Sequence, residues 1–274
     1  MVQGLSILTN VGAMTALQQL NATNKKLQNT QLRITTGLKV NGPKDDAATF
    51  QIALRLRGDI AGTKAVKTAL ANGEATTNVA ISAGKAIADL LIEMKAKIVQ
   101  ANQAGLDSAS RTALNSDFTA LREQISTIVA TAEFNNLNLI SSGATTTSVL
   151  STAEGSVIAV SAQSMDTSTL GIASIDLTTS AGASTALTAI DSAITTVADK
   201  LASLGSAANR IEVQTEFTTS LIDILTAGLG NLVDADLAEE AASLTALQVQ
   251  QQLGVQSLSI ANAAPSTILS LFQG

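Results

Sequence analysis

The stretch "LTAIDSAITTVADKLASLGSAANRI" (Leu187 to Ile211) decides the fold, because its apolar residues recur at alternating steps of three and four. This spacing places them on one narrow face of an α-helix, and such a face repeated over many turns is typical of coiled-coil packing. The register continues, through two threonines, to Leu232. A helix over 185–232 would be about 70 Å long, at a rise of about 1.5 Å per residue. The sequence therefore predicts a long helical rod.

Two further seams of the same spacing predict helical partners upstream. They consist of Ala80, Gly84, Ile87, Leu91, Met94, Ile98 and Ala101, and of Leu114, Phe118, Leu121, Ile125, Ile128 and Ala132. Between the seams, Gly105 is suited to end a helix and Asp107 to cap the next one. Because the connection is short, we expect these two helices to lie antiparallel.

The two ends of the chain carry weaker seams. Amides occupy core positions there, at Asn24 and Gln31 near the N-terminus and at Gln251 near the C-terminus. Residues 1–42 contain basic side chains but no acidic one, and residues 241–274 contain no charged side chain. Amides at core positions lower stability while they help to fix the register. We expect both ends to be disordered in the lone subunit and helical only when paired.

The middle of the chain differs from these helical segments. Residues 141–184 are rich in Ser, Thr, Ala and Gly, and the runs "SVIAVSA" (156–162) and "IASIDLTT" (172–179) predict strands or hairpins. Because it has few bulky residues, this segment is interpreted as a surface elaboration. The predicted fold is mainly α: a long coiled-coil-like helical hairpin or bundle with paired N- and C-terminal helices and a small β-containing insert.

Composition excludes several classes of function. The chain has no Cys and no His, which removes thiol catalysis, zinc sites built on these residues and every Ser-His arrangement. A net charge of −6 argues against general nucleic-acid binding. No run of about 18 apolar residues is present, which argues against an integral membrane protein. We predict no catalytic residue, no cofactor and no metal site, and neither nucleic acid nor membrane as a partner.

The stretch "NGPKDDAATF" (residues 41–50) places two aspartates at the start of an apolar run. Gly42 and Pro43 interrupt the preceding segment, so Asp45 and Asp46 are suited to cap the free N–H groups of a new helix. A catalytic pair of carboxylates would need a pocket and supporting hydrogen bonds, which no nearby residue type supplies. The interpretation is a helix cap at a turn between two rigid elements.

Three blocks of the sequence resemble bacterial flagellin. They are "LQNTQLRITTGLKVNGPKDDAATFQIALRLRGDIAG" (27–62), "LGSAANRIEVQ" (204–214) and "LVDADLAEEAASLTALQVQQQLGVQSLSIANAAPSTILSLF" (232–272). The resemblance covers roughly residues 1–140 and 185–274, with the blocks in the order that the family has them.

The resemblance implies a structural subunit that polymerises into the helical filament of the flagellum for swimming motility. In that family the paired termini form an inner tube and the long helices a rod layer around it. The implied segments are an N-terminal inner-tube helix (1–42), N-terminal rod-layer helices (43–140), a small Ser/Thr-rich outer segment (141–184), a C-terminal rod-layer helix (185–232) and a C-terminal inner-tube helix (233–274).

The resemblance also implies partners and a location. Subunits of this family leave the cell unfolded through the flagellar type III export apparatus, and a cytosolic chaperone holds the C-terminal segment until then. The expected partners in the filament are copies of the same chain, mixed with other flagellins where a cell has several, and the hook-associated junction and cap proteins. The expected partners before assembly are the export apparatus and the chaperone. The expected location is the extracellular filament.

Within this frame three sets of residues are candidate sites. The subunit-interface candidates are Leu17, Leu20, Leu27, Leu237, Leu244, Leu247, Leu258 and Arg210. The O-glycosylation candidates are Thr145, Thr146, Thr147, Ser161 and Ser164. Flagellins that the animal flagellin receptor recognises carry an arginine and a leucine where this chain has Glu93 and Lys97, so poor activation of that receptor is expected.

Two other functions are open alternatives. A hook–filament junction protein would also have paired N- and C-terminal helices. A lipid-surface-binding helical bundle is suggested by the uncharged tail and by a mean hydropathy of +0.30, although such helices usually carry Lys or Arg on the polar face.

Overall fold

The computed structural model describes residues 9–272 of the chain. Residues 1–8 of the predicted N-terminal segment and residues 273–274 of the C-terminal one lie outside the described residues. The helices are α1 (Val11–Thr36), α2 (Ala47–Ala101), α3 (Ser108–Thr131), α4 (Ser180–Val233) and α5 (Leu237–Phe272).

The strands form two small hairpins between α3 and α4. β1 (Glu133–Phe134) pairs antiparallel with β2 (Leu137–Asn138), and β3 (Thr147–Leu150) pairs antiparallel with β4 (Val157–Val160). The predicted fold class, mainly α with a small β-containing insert, is confirmed.

The chain divides into two compact units. The smaller unit contains Met1–Gly58 and Leu225–Gly274, and the larger unit contains Asp59–Ile224. Each is described by itself below.

The predicted seams supply the helical part of the core of the larger unit. Ile87, Leu91 and Met94 on α2 are completely buried. So are Phe118 on α3 and Ile190 on α4. Each large apolar side chain that is buried in this way contributes about 1.5–3 kcal/mol. The three-helix core was predictable because the period of 3.6 residues puts every third or fourth residue on one face.

The turn between α2 and α3 has the predicted features. Gly105 adopts a left-handed conformation with φ of +83°, and Asp107 caps α3 by accepting a hydrogen bond of 3.3 Å from the Ser110 N–H. The sequence did not indicate the role of Arg111, whose buried guanidinium donates to the Ala101 carbonyl at the end of α2. A cation suits this place because the C-terminus of a helix carries partial negative charge.

The insert is not a surface elaboration, so that interpretation was wrong. Its apolar side chains are few, but Val149, Ile158, Met165, Ile172 and Leu177 are buried and belong to the core of the larger unit. Low apolar content misled the sequence reasoning, because a segment that wraps a helical core needs only the side chains of its inner face to be apolar.

The strand predicted within 172–179 is also absent. This stretch is non-helical and non-strand, because side chains of α3 bind its backbone in place of a neighbouring strand. The Leu177 N–H donates to the Asn115 side chain at 2.9 Å, and the Arg122 guanidinium donates to the Ala173 carbonyl at 2.7 Å.

The smaller unit pairs α1 with α5 and joins the segments that follow α1 and α4. The Lys39 N–H donates to the Val233 carbonyl at 2.7 Å, and the Ala235 N–H donates to the Gly37 carbonyl at 2.9 Å. Val40 and Val233 are buried beside this junction. Although α1 and α5 lie at opposite ends of the sequence, α1 therefore ends and α5 begins at one hydrogen-bonded junction.

Candidate functional site

The two aspartates in the turn before α2 have different structural roles. Asp46 caps α2, since one carboxylate oxygen accepts from the Ala48 and Thr49 N–H groups at 3.0 and 3.1 Å. Asp45 instead accepts from the N–H groups of Asn41 and Gly42, at 3.0 and 3.1 Å, and so closes the Gly42–Pro43 turn. The helix-cap role that was predicted for both aspartates belongs to Asp46.

Hydrogen bonds keep the Asp46 carboxylate charged. The Thr49 hydroxyl, followed by the Thr49 N–H, holds the pKa of Asp46 below its ordinary value. A carboxylate that already accepts three hydrogen bonds from its own helix is a poor proton acceptor for a substrate. The geometry of this turn is therefore that of a connection between rigid elements.

The inner seam of α5, which we define as Leu244, Leu247, Gln251, Gly254, Leu258 and Ala261, faces α1. The Gln251 amide donates to the Asn24 amide at 2.8 Å, and a Cβ on Gly254 would lie 3.2 Å from Leu20. Leu247 is buried, and Leu244 and Leu258 are half-buried, as are Leu20 and Leu27 on α1. Five of the leucines predicted to bind another subunit therefore lie along the pairing of α1 and α5 within one subunit.

Polar contacts extend this pairing at both ends. The Arg33 guanidinium forms an ion pair of 2.8 Å with Glu240, and the Asn10 amide donates to the Ala261 carbonyl at 2.6 Å. The pairing thus runs from the start of α1 to its last turn.

The outer seam of α5, which we define as Ala242, Ala246, Val249, Leu253, Gln256 and Ile260, lies in solvent. Val249, Leu253 and Ile260 are 51, 59 and 66% exposed. Sequence reasoning missed this seam, although its signal was present: the same alternating steps of four and three recur on the opposite face of the helix. Of the predicted interface leucines, Leu17 and Leu237 are also exposed, at 48 and 53%.

Arg210 lies on an open groove of the larger unit. The groove has a volume of about 770 Å³ and is lined by Ile158, Asn209, Val213 and Gln214 among others. Within residues 9–272, the Arg210 side chain is exposed and takes part in no ion pair. Its role as an interface residue stays a prediction.

The residues predicted to affect receptor recognition lie on α2. Glu93 is exposed. Lys97 forms an ion pair of 2.7 Å with Asp117 on α3, and this hydrogen bond, together with the charge of Asp117, raises the pKa of Lys97. The cation at Lys97 is therefore oriented toward α3.

The five candidate glycosylation residues differ in access. Thr145, Thr146 and Ser161 are exposed. Thr147 is half-buried in β3, and the half-buried Ser164 hydroxyl donates to the Ser141 carbonyl at 2.9 Å. The first three hydroxyls are the accessible ones.

One acidic residue near the start of α5, Asp236, caps this helix. The Asp236 carboxylate accepts from the Ala238 and Glu239 N–H groups at 2.8 and 3.3 Å. Across residues 9–272 no three acidic side chains form a group that could hold a metal ion. Separately, no stretch of the described helices combines the length and apolarity needed to cross a lipid bilayer.

Comparison with known proteins identifies the family. Residues 7–146 match the bacterial flagellin N-terminal helical region, and residues 187–272 match the bacterial flagellin C-terminal helical region. The chain belongs to the bacterial flagellin family. These two matched regions contain α1, α2, α3, most of α4 and the whole of α5.

Curated flagellins match along their whole length. The chain is 44% identical to flagellin FljM of Caulobacter vibrioides over 269 residues, which cover 98% of each chain. It is 37% identical to the flagellin of Brucella melitensis over 285 residues, covering 98% of this chain and 99% of the relative. It is 34% identical to flagellin C of Rhizobium meliloti over 321 residues, with the same two coverages.

Family membership establishes the general function. The chain is a structural subunit that polymerises with copies of itself into the extracellular flagellar filament and so serves motility. The alternative of a hook–filament junction protein is not favoured, because the full-length relatives are flagellins. The family is structural rather than enzymatic.

Proposed function

We propose that subunits of the filament meet through the outer seam of α5. A helix with two heptad seams cannot bury both against a single partner helix. α1 lies along the inner seam, so the outer seam is left free for a second subunit. Each of Val249, Leu253 and Ile260 would contribute up to about 1.5–3 kcal/mol if the contact buried it fully. The exposed outer seam is the observation that carries the proposal.

Charge supports a protein partner for this seam. From Ala241 to the end of the chain no side chain is charged, so the outer seam has Gln, Ser, Thr and Asn at its flanks. Membrane-surface helices usually have Lys or Arg there. An uncharged helix with two apolar seams is suited to the interior of an assembly.

Seeded elongation tests the interface. Purified full-length protein is mixed with short sheared filaments in a precipitating salt such as sulfate and followed by negative-stain electron microscopy. The variant L253N/I260N should lose elongation, while the control S259N, an exposed change beside the outer seam, should elongate like the wild type. Normal elongation of L253N/I260N would overturn the role of this seam.

Truncation tests the wider proposal that α5 holds the polymer together. A chain lacking residues 241–274 should not elongate seeds that the full-length chain elongates. If the full-length chain stays monomeric and floats with liposomes, the lipid-surface alternative is correct and the filament interpretation fails.

We also propose that α1 and α5 are ordered only in the filament. Among their described side chains, only Leu247, Thr23 and Thr30 are well buried in the lone subunit, which is little apolar burial for two long helices. Hydrogen exchange should be fast over these helices in the monomer and slow in filaments. Equal protection in both states would show that the pairing forms in the free subunit.

The proposed partners before assembly are the flagellar type III export apparatus and a cytosolic chaperone. An uncharged tail with exposed apolar seams would aggregate in the cytosol unless another protein covered it. Affinity purification from cells with a blocked export apparatus should recover a small chaperone with the full-length chain and not with the chain lacking 241–274. Junction and cap proteins are proposed to contact the terminal subunits of the filament.

Two surface properties complete the proposal. We propose O-glycosylation of the insert at Thr145, Thr146 and Ser161, because these hydroxyls are exposed; mass spectrometry of native filaments tests it. Poor activation of the animal flagellin receptor is proposed because Glu93 and Lys97 stand in place of an arginine and a leucine. Full potency at nanomolar protein in a cell reporter assay would contradict it.

A further inference from the structure

α4 carries a ridge of large apolar side chains on its solvent-facing side. We define the α4 ridge as Val213, Phe217, Ser220 and Ile224, three large apolar residues and one serine that follow one another at steps of four, three and four. Val213, Phe217 and Ile224 are 65, 59 and 67% exposed. The opposite side of the same helix is buried at Ile211 and Thr218. Three large apolar side chains along one exposed face of a helix mark an interaction surface more often than single exposed ones do.

The flanks of the α4 ridge are acidic. The stretch 212–224 contains Glu212, Glu216 and Asp223 and no basic residue, a net charge of −3. None of these three carboxylates forms an ion pair in the part of the chain that the structure describes. A partner surface would therefore have to be concave, apolar and positively charged at its edges.

One face of α2 has these properties. We define the α2 groove as Leu54, Gly58, Ala61, Ala65 and Thr68, which follow at the same steps of four and three and are all exposed. After Leu54 the side chains are small, and the space that a Cβ on Gly58 would occupy has no atom within 4 Å. Small side chains at heptad spacing leave room for large ones from another helix.

The flanks of the α2 groove are basic. The stretch 54–68 contains Arg55, Arg57, Lys64 and Lys67 against the single acid Asp59, a net charge of +3. Over residues 9–272, none of these four cations is ion-paired. The α2 groove therefore complements the α4 ridge in side-chain size, in spacing and in charge.

We propose that the α4 ridge of one subunit packs into the α2 groove of a neighbouring copy of the chain. Both surfaces are exposed in the subunit, so they do not cover each other within one chain. The contact is separate from the outer seam of α5, and it rests on the proposed assembly. Large side chains of the ridge fill the spaces above Gly58, Ala61 and Ala65, and the opposite charges select this pairing over a contact between two ridges or two grooves.

Charge reversal on each surface, alone and together, tests the pairing in the full-length chain. The variants are E212K/E216K on the ridge, R57E/K64E on the groove and the combination of all four changes. Each double variant should raise the critical concentration for seeded elongation about tenfold or more, because like charges then face each other. The combined variant should return to within about twofold of the wild type, because opposite charges face each other again.

Controls separate assembly from folding. E154K reverses an exposed carboxylate in the turn between β3 and β4, outside both surfaces, and should elongate normally. All variants should keep the circular dichroism and melting temperature of the wild type, because the changed residues are exposed. A61F adds bulk to the groove without changing charge and should also block elongation.

Each outcome decides the proposal. Normal elongation by both reversed variants, or by A61F, overturns the contact. A combined variant that fails as its two parents do shows that the surfaces matter but do not bind each other, which also overturns it. If the wild-type chain itself does not elongate on its own seeds, the proposed function fails first, and this result is distinct from a failure of the variants alone.

Discussion

The side-chain amide of Gln251 on α5 donates a hydrogen bond of 2.8 Å to the amide oxygen of Asn24 on α1. Both residues are half-buried and occupy core positions of their seams. Two amides that hydrogen-bond to each other satisfy their polar groups in this half-buried environment. A single amide without its partner would lose hydrogen bonds to water and gain no hydrogen bond in return. The pair therefore aligns α1 and α5 in one register at the expense of some stability.

Breaking this pair should destabilise the filament. N24L leaves the Gln251 amide without its partner and should lower filament stability by about 1–3 kcal/mol. The double variant N24L/Q251L removes both amides and should recover or exceed the wild-type stability, because apolar side chains of similar size then pack in the seam. Thermal melting of filaments through the full double-mutant cycle measures the coupling. If the effects of N24L and Q251L simply add, the two amides are not coupled.

Two glycines of the larger unit should respond in opposite directions. A Cβ on Gly73 would lie 2.5 and 2.7 Å from two methyl groups of Val149, so G73A should destabilise the unit by about 1–3 kcal/mol through overpacking. Gly205 lies inside α4 with no atom within 4 Å of such a Cβ, so G205A should stabilise by about 0.5–1 kcal/mol. Urea unfolding of the monomer compares the two. A destabilising G205A would mean that the space above it is filled in solution.

The buried guanidinium of Arg111 should matter more than an exposed one. Arg111 donates to the carbonyls of Ala101 and Gln103, and R111M should lower the free energy of unfolding by about 1.5–3 kcal/mol, because the end of α2 loses its charged donor. Arg122 donates to Ala173 from an exposed position, and R122M should cost about 1 kcal/mol or less. Thermal unfolding of the monomer ranks the two, and an equal or reversed order would contradict the assignment.

Acid should destabilise the subunit through aspartates whose carboxylates accept hydrogen bonds in the folded state. The side-chain hydrogen bond with Ser110 lowers the pKa of Asp107, and the Thr178 N–H lowers that of Asp176. A carboxyl whose pKa is lower in the folded state than in the unfolded chain stabilises the fold above the unfolded value, near about 3.9. This contribution is lost as the pH falls through the folded pKa.

Variant D107N tests this linkage. Asparagine caps a helix about as well as aspartate but does not titrate, so D107N should have a shallower loss of stability than the wild type between about pH 5 and pH 2. Chemical unfolding at a series of pH values measures it. Parallel curves for the two proteins would show that Asp107 does not contribute to acid unfolding.

The sequence by itself determined the helices and their buried faces. A heptad seam is a local property, so the spacing of apolar residues is enough to place Ile87, Phe118 and Ile190 in the core. The end of α2 near Gly105 and the cap at Asp107 are local too, because they depend on the conformation of a glycine and the reach of one carboxylate. The family resemblance rests on the same kind of contiguous blocks.

The tertiary structure decided which surfaces are already used within the subunit and which stay exposed. Leu247 and Leu253 both lie on heptad seams of α5, yet Leu247 is buried against α1 and Leu253 is exposed. The register of the pairing with α1, a helix at the other end of the chain, determines which seam is buried. The same reason explains why Met165 and Leu177 of the insert enter the core, and why Asp45 closes a turn while Asp46 caps a helix. Periodicity determines which residues share one face of a helix, but the contacts between segments that are distant in sequence determine what each face packs against.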